Sequence, residues 1–190
     1  RGQVLIVRMN RPEVLNALNY ELRVGLAETW TMFRESSDLE VAVFTGTGRG
    51  FCAGEDMKEA LKDNTPGGRS IPIADPFKDG TLEKPVIGAI NGFAMGGGFM
   101  LVEGTDLRVA ADNAIFEVSE AKRWLLGGYN HGHIANMPFP VAMEMAMGFR
   151  FTAQRFYELG FVNRLAPAEK VVDVAVEIAE HLLTLPPAAR

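Results

Sequence analysis

The chain has a single cysteine, Cys52, among its 190 residues, so no intramolecular disulfide can form. An unpaired thiol suits a reducing compartment, and the cytoplasm is the expected location. No apolar run approaches the roughly 20 residues that cross a bilayer, so a membrane span is not expected. There is no basic excess: 19 Lys and Arg face 24 Asp and Glu, for a net charge of -5. That balance argues against a nucleic-acid partner held through its phosphates. Of the three histidines, two lie in His131-Gly132-His133, and nothing nearby adds the third and fourth ligands of a metal site. Nucleotide loops are also missing. Gly46-Thr47-Gly48 follows a strand pattern, but a G-x-G-x-x-G fingerprint would need glycine at Phe51, and neither glycine loop ends in Gly-Lys-Ser/Thr.

What is present is an ordinary globular composition, 47% hydrophobic and 23% charged, long enough to bury a core and expected to form one domain over residues 1–190. Val4 to Met9 reads as a strand, closed by Asn10-Arg11-Pro12. Leu22, Leu26, Trp30 and Phe33 recur at helical spacing behind Asn19 as N-cap. Val41 to Phe44 and Pro85 to Ile90 are two more strands, each opening into a glycine-rich stretch and then a helix pattern. Two short strands are expected over 107–111 and 115–118, and helices over 139–147, 152–159 and 167–184. Residues 63 to 81, rich in Pro and Gly, read as a mobile surface loop that could act as a lid. Strands alternating with helices predict an α/β fold. Arg1 and Arg190 are abrupt ends, which reads as a fragment.

The two glycine stretches, Gly46 to Gly54 and Gly96-Gly97-Gly98, each follow a strand and precede a helix. That arrangement aims backbone N–H groups and the positive end of a helix dipole at negative oxygen. The competing reading is three glycines that let a helix pack closely.

Taken together, the motifs resemble the crotonase, or enoyl-CoA hydratase/isomerase, superfamily. The matching pieces run in family order: Asn10-Arg11-Pro12 with Leu15-Asn16-Ala17-Leu18-Asn19, then Phe51-Cys52-Ala53-Gly54-Glu55-Asp56, then Pro85 to Gly98, and further along Thr105-Asp106-Leu107-Arg108 and Gly160-Phe161-Val162-Asn163. The resemblance implies a spiral of ββα units that binds an acyl-CoA thioester, assembles as a homotrimer or hexamer and serves fatty-acid metabolism. Coenzyme A would be part of the substrate, with no resident cofactor. By position it implies an oxyanion hole formed by the N–H groups of Ala53 and Gly97, with Gly54, Asp56, Gly96 and Met100 around the substrate. The family's further C-terminal helices have no counterpart in the sequence.

Family hydratases are expected to use two carboxylates, and their positions here are Met100 and Glu120. Met100 cannot move a proton, and each general acid/base contributes roughly 10²–10⁴ in rate. The resemblance therefore favours chemistry with one glutamate, Glu120, shuttling a proton: an isomerase, or an atypical hydratase or dehydratase. Glu103 and His131 are candidate auxiliary acid/base groups. The competing readings are a helix-start glutamate for Glu120, an ion-paired carboxylate for Glu103 and an idle loop histidine for His131. Cys52 is expected to be no nucleophile, while Lys58, Lys62 and Arg69 are candidates to meet the coenzyme A phosphates. Loss of Met100's acid also leaves open a catalytically silent acyl-CoA-binding or assembly homologue.

Overall fold

The computed structural model describes residues 2–65, 68–123 and 136–189. In chain order the first elements are β1 (Val4–Met9), α1 (Tyr20–Glu35), β2 (Val41–Gly46), β3 (Gly50–Cys52) and α2 (Met57–Asp63). Next come β4 (Val86–Ile90), β5 (Phe93–Met95), α3 (Gly97–Glu103), β6 (Leu107–Ala111) and β7 (Ile115–Glu117). The last are α4 (Phe139–Ala146), β8 (Arg150–Thr152), α5 (Ala153–Glu158), β9 (Arg164–Ala166) and α6 (Val171–Leu183).

The strands divide between two sheets. A parallel sheet has the order β1-β2-β4-β6-β9, and a smaller one the order β3-β5-β7-β8, parallel except where β7 meets β8. Successive strands therefore alternate: β2 then β3 then α2, β4 then β5 then α3, β6 then β7. Each unit contributes one strand to each sheet before its helix or turn, which is the expected spiral of ββα units. β2 is buried along all six residues, as a central parallel strand covered on both faces should be. Val171, Ala175, Val176 and Ala179, at helical spacing, turn one stripe of α6 inward, where the helix packs across the large sheet.

α1 starts where the sequence predicts, with Asn19 accepting from Leu22 N at 3.0 Å. The expected loop over 63–81 has an anchor that composition does not reveal. Phe77 is buried and stacks on Trp30 at 4.9 Å, and both meet Phe44 edge-on. Burying one such ring contributes about 1.5–3 kcal/mol, so Phe77 pins the loop toward its C-terminal end.

Four strands were not predicted: β3 and β5 lie inside stretches read as glycine turns, β8 precedes a predicted helix, and β9 lies in a segment read as a connection. Each is three residues long, too short for a period-2 pattern to register. The expected helix over 167–184 begins with a 3₁₀ turn at Ala168–Lys170 and is α-helical from Val171.

Candidate active site

The ends of β3 and β5 bring the two glycine turns against each other. Gly54 has φ +88°, and a Cβ there would stand 2.7 Å from Met95 O and 3.3 Å from Gly97 N, a space only glycine leaves open. Gly96 has φ +49° and donates its N–H to Glu117 O at 2.8 Å, and α3 starts at the next residue. Gly97 N–H, the first of the helix, makes no hydrogen bond among the described residues.

Residues 15–18 hold the first turn in place like a rail. Leu15 and Asn16 take left-handed conformations, and Asn16, fully buried, donates through Nδ2 toward the carbonyls of Thr47, Gly50 and Phe51 while its Oδ1 accepts from Arg11 N. Leu18 N–H reaches Gly54 O at 2.7 Å, and Asp56 N–H reaches Leu18 O at 3.1 Å. One rung corrects an expectation. Ala53 N–H donates to Leu15 O at 2.9 Å, so it is committed to the rail and does not face the Gly97 turn as an oxyanion donor. The backbone nitrogen beside Gly97 is that of Glu55, 3.9 Å from where a Gly97 Cβ would sit.

Glu120 opens the 3₁₀ turn Glu120–Arg123 and returns to the second glycine turn. Its Oε1 lies 3.4 Å from the position of a Gly96 Cβ, and its Oε2 is buried with no hydrogen-bond partner among the described residues. Such a carboxylate oxygen costs stability unless something else comes to it. Met100 lies one turn into α3, is 48% exposed as a residue and, as a thioether, offers no proton.

The other candidates divide. Glu103 ends α3, seven residues or about 10 Å along the axis from Gly96. There it is bound up with Arg108, whose guanidinium donates to the carbonyls of Val102, Glu103 and Thr105. Burial lowers the Arg108 pKa from its ordinary value, and the charges of Glu103 and Asp106 oppose that shift. Glu103 is therefore not gathered with Glu120. His131 lies outside the described residues. Asp56 caps α2, accepting from Lys58 N and Glu59 N, and pairs with Arg11 at 3.0 Å. Its burial opposes ionisation, but the Arg11 and backbone hydrogen bonds prevail and hold its pKa below the ordinary carboxylate value. Asp56 thus ties the start of α2 to Arg11. Arg69 stacks over Tyr20 at 4.4 Å. Cys52 is buried with its thiol directed to Asn16 O, and burial pushes its pKa up to about 12, so it remains a thiol at neutral pH.

A group of residues that sequence reasoning missed lines a cavity of about 340 Å³ beside the Gly96 turn: Glu117, Ser119, Lys122, Arg123 and Arg150, with Ala53 and Met95. Glu117 is buried and takes Arg150 Nε at 2.7 Å and Lys122 Nζ at 3.2 Å. Burial resists its ionisation, yet the two cations hold its pKa below the usual value. Gly97, Met100 and Glu120 are not among the walls of this cavity, so it adjoins the turns rather than containing them. The only available signal was the period-2 alternation that turns Glu117 away from buried Phe116. No cluster of metal-ligating side chains occurs among the described residues, and none of the described helices is long and apolar enough to cross a membrane.

A family described as enoyl-CoA hydratase/isomerase matches residues 1–190 from end to end. The chain belongs to the enoyl-CoA hydratase/isomerase family. An enoyl-CoA hydratase of Mycobacterium tuberculosis is 34% identical over 96% of this chain and 72% of its own length. A carnitinyl-CoA dehydratase of Proteus mirabilis is 36% identical over 100% of this chain and 74% of its own. Among solved structures, an enoyl-CoA hydratase of Mycobacterium marinum superimposes with a TM-score of 0.89 at 32% identity, covering 100% of this chain and 75% of that one. The ββα spiral is thus the fold of the family, and the family's chemistry is that of coenzyme A thioesters.

Proposed function

We propose that the chain binds an acyl-CoA thioester, stabilises its enolate at the two glycine turns and uses Glu120 as the single proton carrier. The observation that carries this reading is the Glu120 carboxylate, held beside Gly96 with one buried oxygen that has no hydrogen-bond partner among the described residues. Glu120 removes a proton from the α-carbon, and the electron pair moves into the thioester carbonyl to give the enolate. Gly97 N–H, at the positive end of α3, donates to that oxygen. The turn at Gly54 makes Glu55 N–H the second donor of this reading, in place of Ala53. The enolate then either takes the proton back at the γ-carbon, which moves a β,γ double bond to α,β, or expels a β-hydroxyl as water with the same proton. One carboxylate serves either course, which accords with Met100 at the other acid position.

In this reading residues 1–190 form one acyl-CoA-binding core, coenzyme A enters only as part of the substrate, and the cytoplasm is the site of action. Self-association as a trimer or hexamer is part of the same reading. It is supported by Phe139, Met147 and Phe149, which expose large apolar side chains around α4. The test is an assay of β,γ-enoyl-, α,β-enoyl- and 3-hydroxyacyl-CoA with wild type and Glu120→Gln. Turnover of at least one thioester that collapses in the variant supports the reading, and equal turnover by both proteins contradicts it.

A further inference from the structure

The cavity beside the Gly96 turn carries a charge pattern that the proton chemistry does not use. Three cations, Lys122, Arg123 and Arg150, line it with one carboxylate, Glu117. Glu117 is matched by Arg150 and Lys122. Arg150 reaches Glu117 through Nε, and among the described residues its two terminal amino groups make no other hydrogen bond. Arg123 has no hydrogen-bond or ion-pair partner among them either. After Glu117 is matched, the walls keep an excess of two positive charges together with the Ser119 hydroxyl. Guanidinium forks and a hydroxyl converging on one space are the donor set for a carboxylate.

Position says which part of a thioester would reach there. Ser119 adjoins Glu120 in the chain, and its Oγ stands 3.4 Å from the Gly96 Cβ position, as does Glu120 Oε1. Ala53 and Met95 extend the wall from the residues leading into the two turns. The cavity therefore begins beside the carboxylate assigned to the acyl carbons. We propose that it is a specificity subsite for a carboxylate borne by the acyl group, so that the preferred substrates are thioesters of dicarboxylic acids. The proposal rests on the thioester reading above and adds Arg123 and Arg150 as the residues that select the acyl group.

Calorimetric titration of the full chain with glutaryl-CoA and pentanoyl-CoA, equal in carbon number and differing in the terminal carboxylate, tests it. Wild type is expected to bind glutaryl-CoA at least about tenfold more tightly, the scale of one charge-assisted hydrogen-bonded contact. Arg123→Gln should remove most of that ratio, and Arg123→Lys should restore part of it. Arg123 is exposed, so these variants are expected to fold. Equal or weaker binding of glutaryl-CoA overturns the proposal. The same acyl pair on pantetheine, which lacks the nucleotide phosphates, should keep the preference. If Arg123→Gln instead erases only the advantage of coenzyme A over pantetheine, the anion is a phosphate and the acyl assignment is overturned. Both probes are saturated, so the preference is read without turnover. A glutaryl preference in a protein inert toward enoyl thioesters would keep the subsite and contradict the reaction, and turnover without the preference would do the reverse.

Discussion

The two ends of α3 are built on opposite terms. At its C-terminal end Arg108 supplies hydrogen bonds to the carbonyls of Val102, Glu103 and Thr105 and stacks on Phe161 at 4.2 Å. The helix end there is closed by its own chain. At the N-terminal end Gly97 N–H has no acceptor and Glu120 Oε2 no donor among the described residues. One end is satisfied and serves stability. The other is left incomplete among the described residues, which is the condition for a group from a ligand to complete it.

If that contrast is right, substitutions at the two ends should separate activity from stability. The largest effect is expected for Glu120→Gln, a fall of about 10²–10⁴ in kcat with the melting temperature unchanged or slightly higher, since the carboxylate whose Oε2 is buried and unpartnered among the described residues is replaced by a neutral amide. Steady-state kinetics beside a thermal melt checks both halves. Arg108→Met should do the converse. It removes the guanidinium donors of the Val102, Glu103, Thr105 and Phe161 carbonyls, of which Val102 O keeps Thr105 N–H and Oγ1. The loss costs about 2–4 kcal/mol and lowers Tm by roughly 4–16 °C, while kcat at a temperature where the variant is folded stays near wild type. Calorimetric unfolding measures that loss, and a large drop in kcat without loss of Tm would break the comparison. Gly54→Ala probes the contact between the turns. The new Cβ would press on Met95 O in a left-handed conformation, so about 1–3 kcal/mol of stability and at least about tenfold in kcat/KM should go together.

The smallest effect concerns pH. Asp56 and Glu117 both have folded pKa values below their ordinary 3.8 and 4.5, so each contributes stability that is complete above those values. That contribution fades as pH falls through the lowered folded values. Tm measured from pH 7 downward should therefore decline more steeply in wild type than in Asp56→Asn or Glu117→Gln, and coincident slopes would show that the ion pairs carry no such linkage.

Much of the architecture is legible in the sequence because long apolar runs announce it. β1, β2, β4 and β6 are aliphatic stretches, and α1 repeats its apolar face behind an Asn cap. The small sheet is not legible, since three-residue strands such as β3 and β5 are defined by partners distant in sequence rather than by a pattern of their own. The site follows the same division. Glu120 could be placed by spacing within a resemblance to the family, and the structure seats it beside Gly96. Ala53 could not be judged that way, because the direction of its N–H depends on the hydrogen bonds from residues 15–18. Glu117 and Arg150 were hidden for a related reason: they face each other across the β7–β8 pairing although they are thirty-three residues apart in the chain.

The central claim is that Glu120 forms the enolate of a bound thioester, and proton exchange reads that step without requiring the natural substrate. Wild-type protein incubated with butyryl-CoA in deuterium oxide should incorporate deuterium at the α-carbon, followed by NMR, and Glu120→Gln should not. Exchange that continues at the wild-type rate in Glu120→Gln would contradict the account.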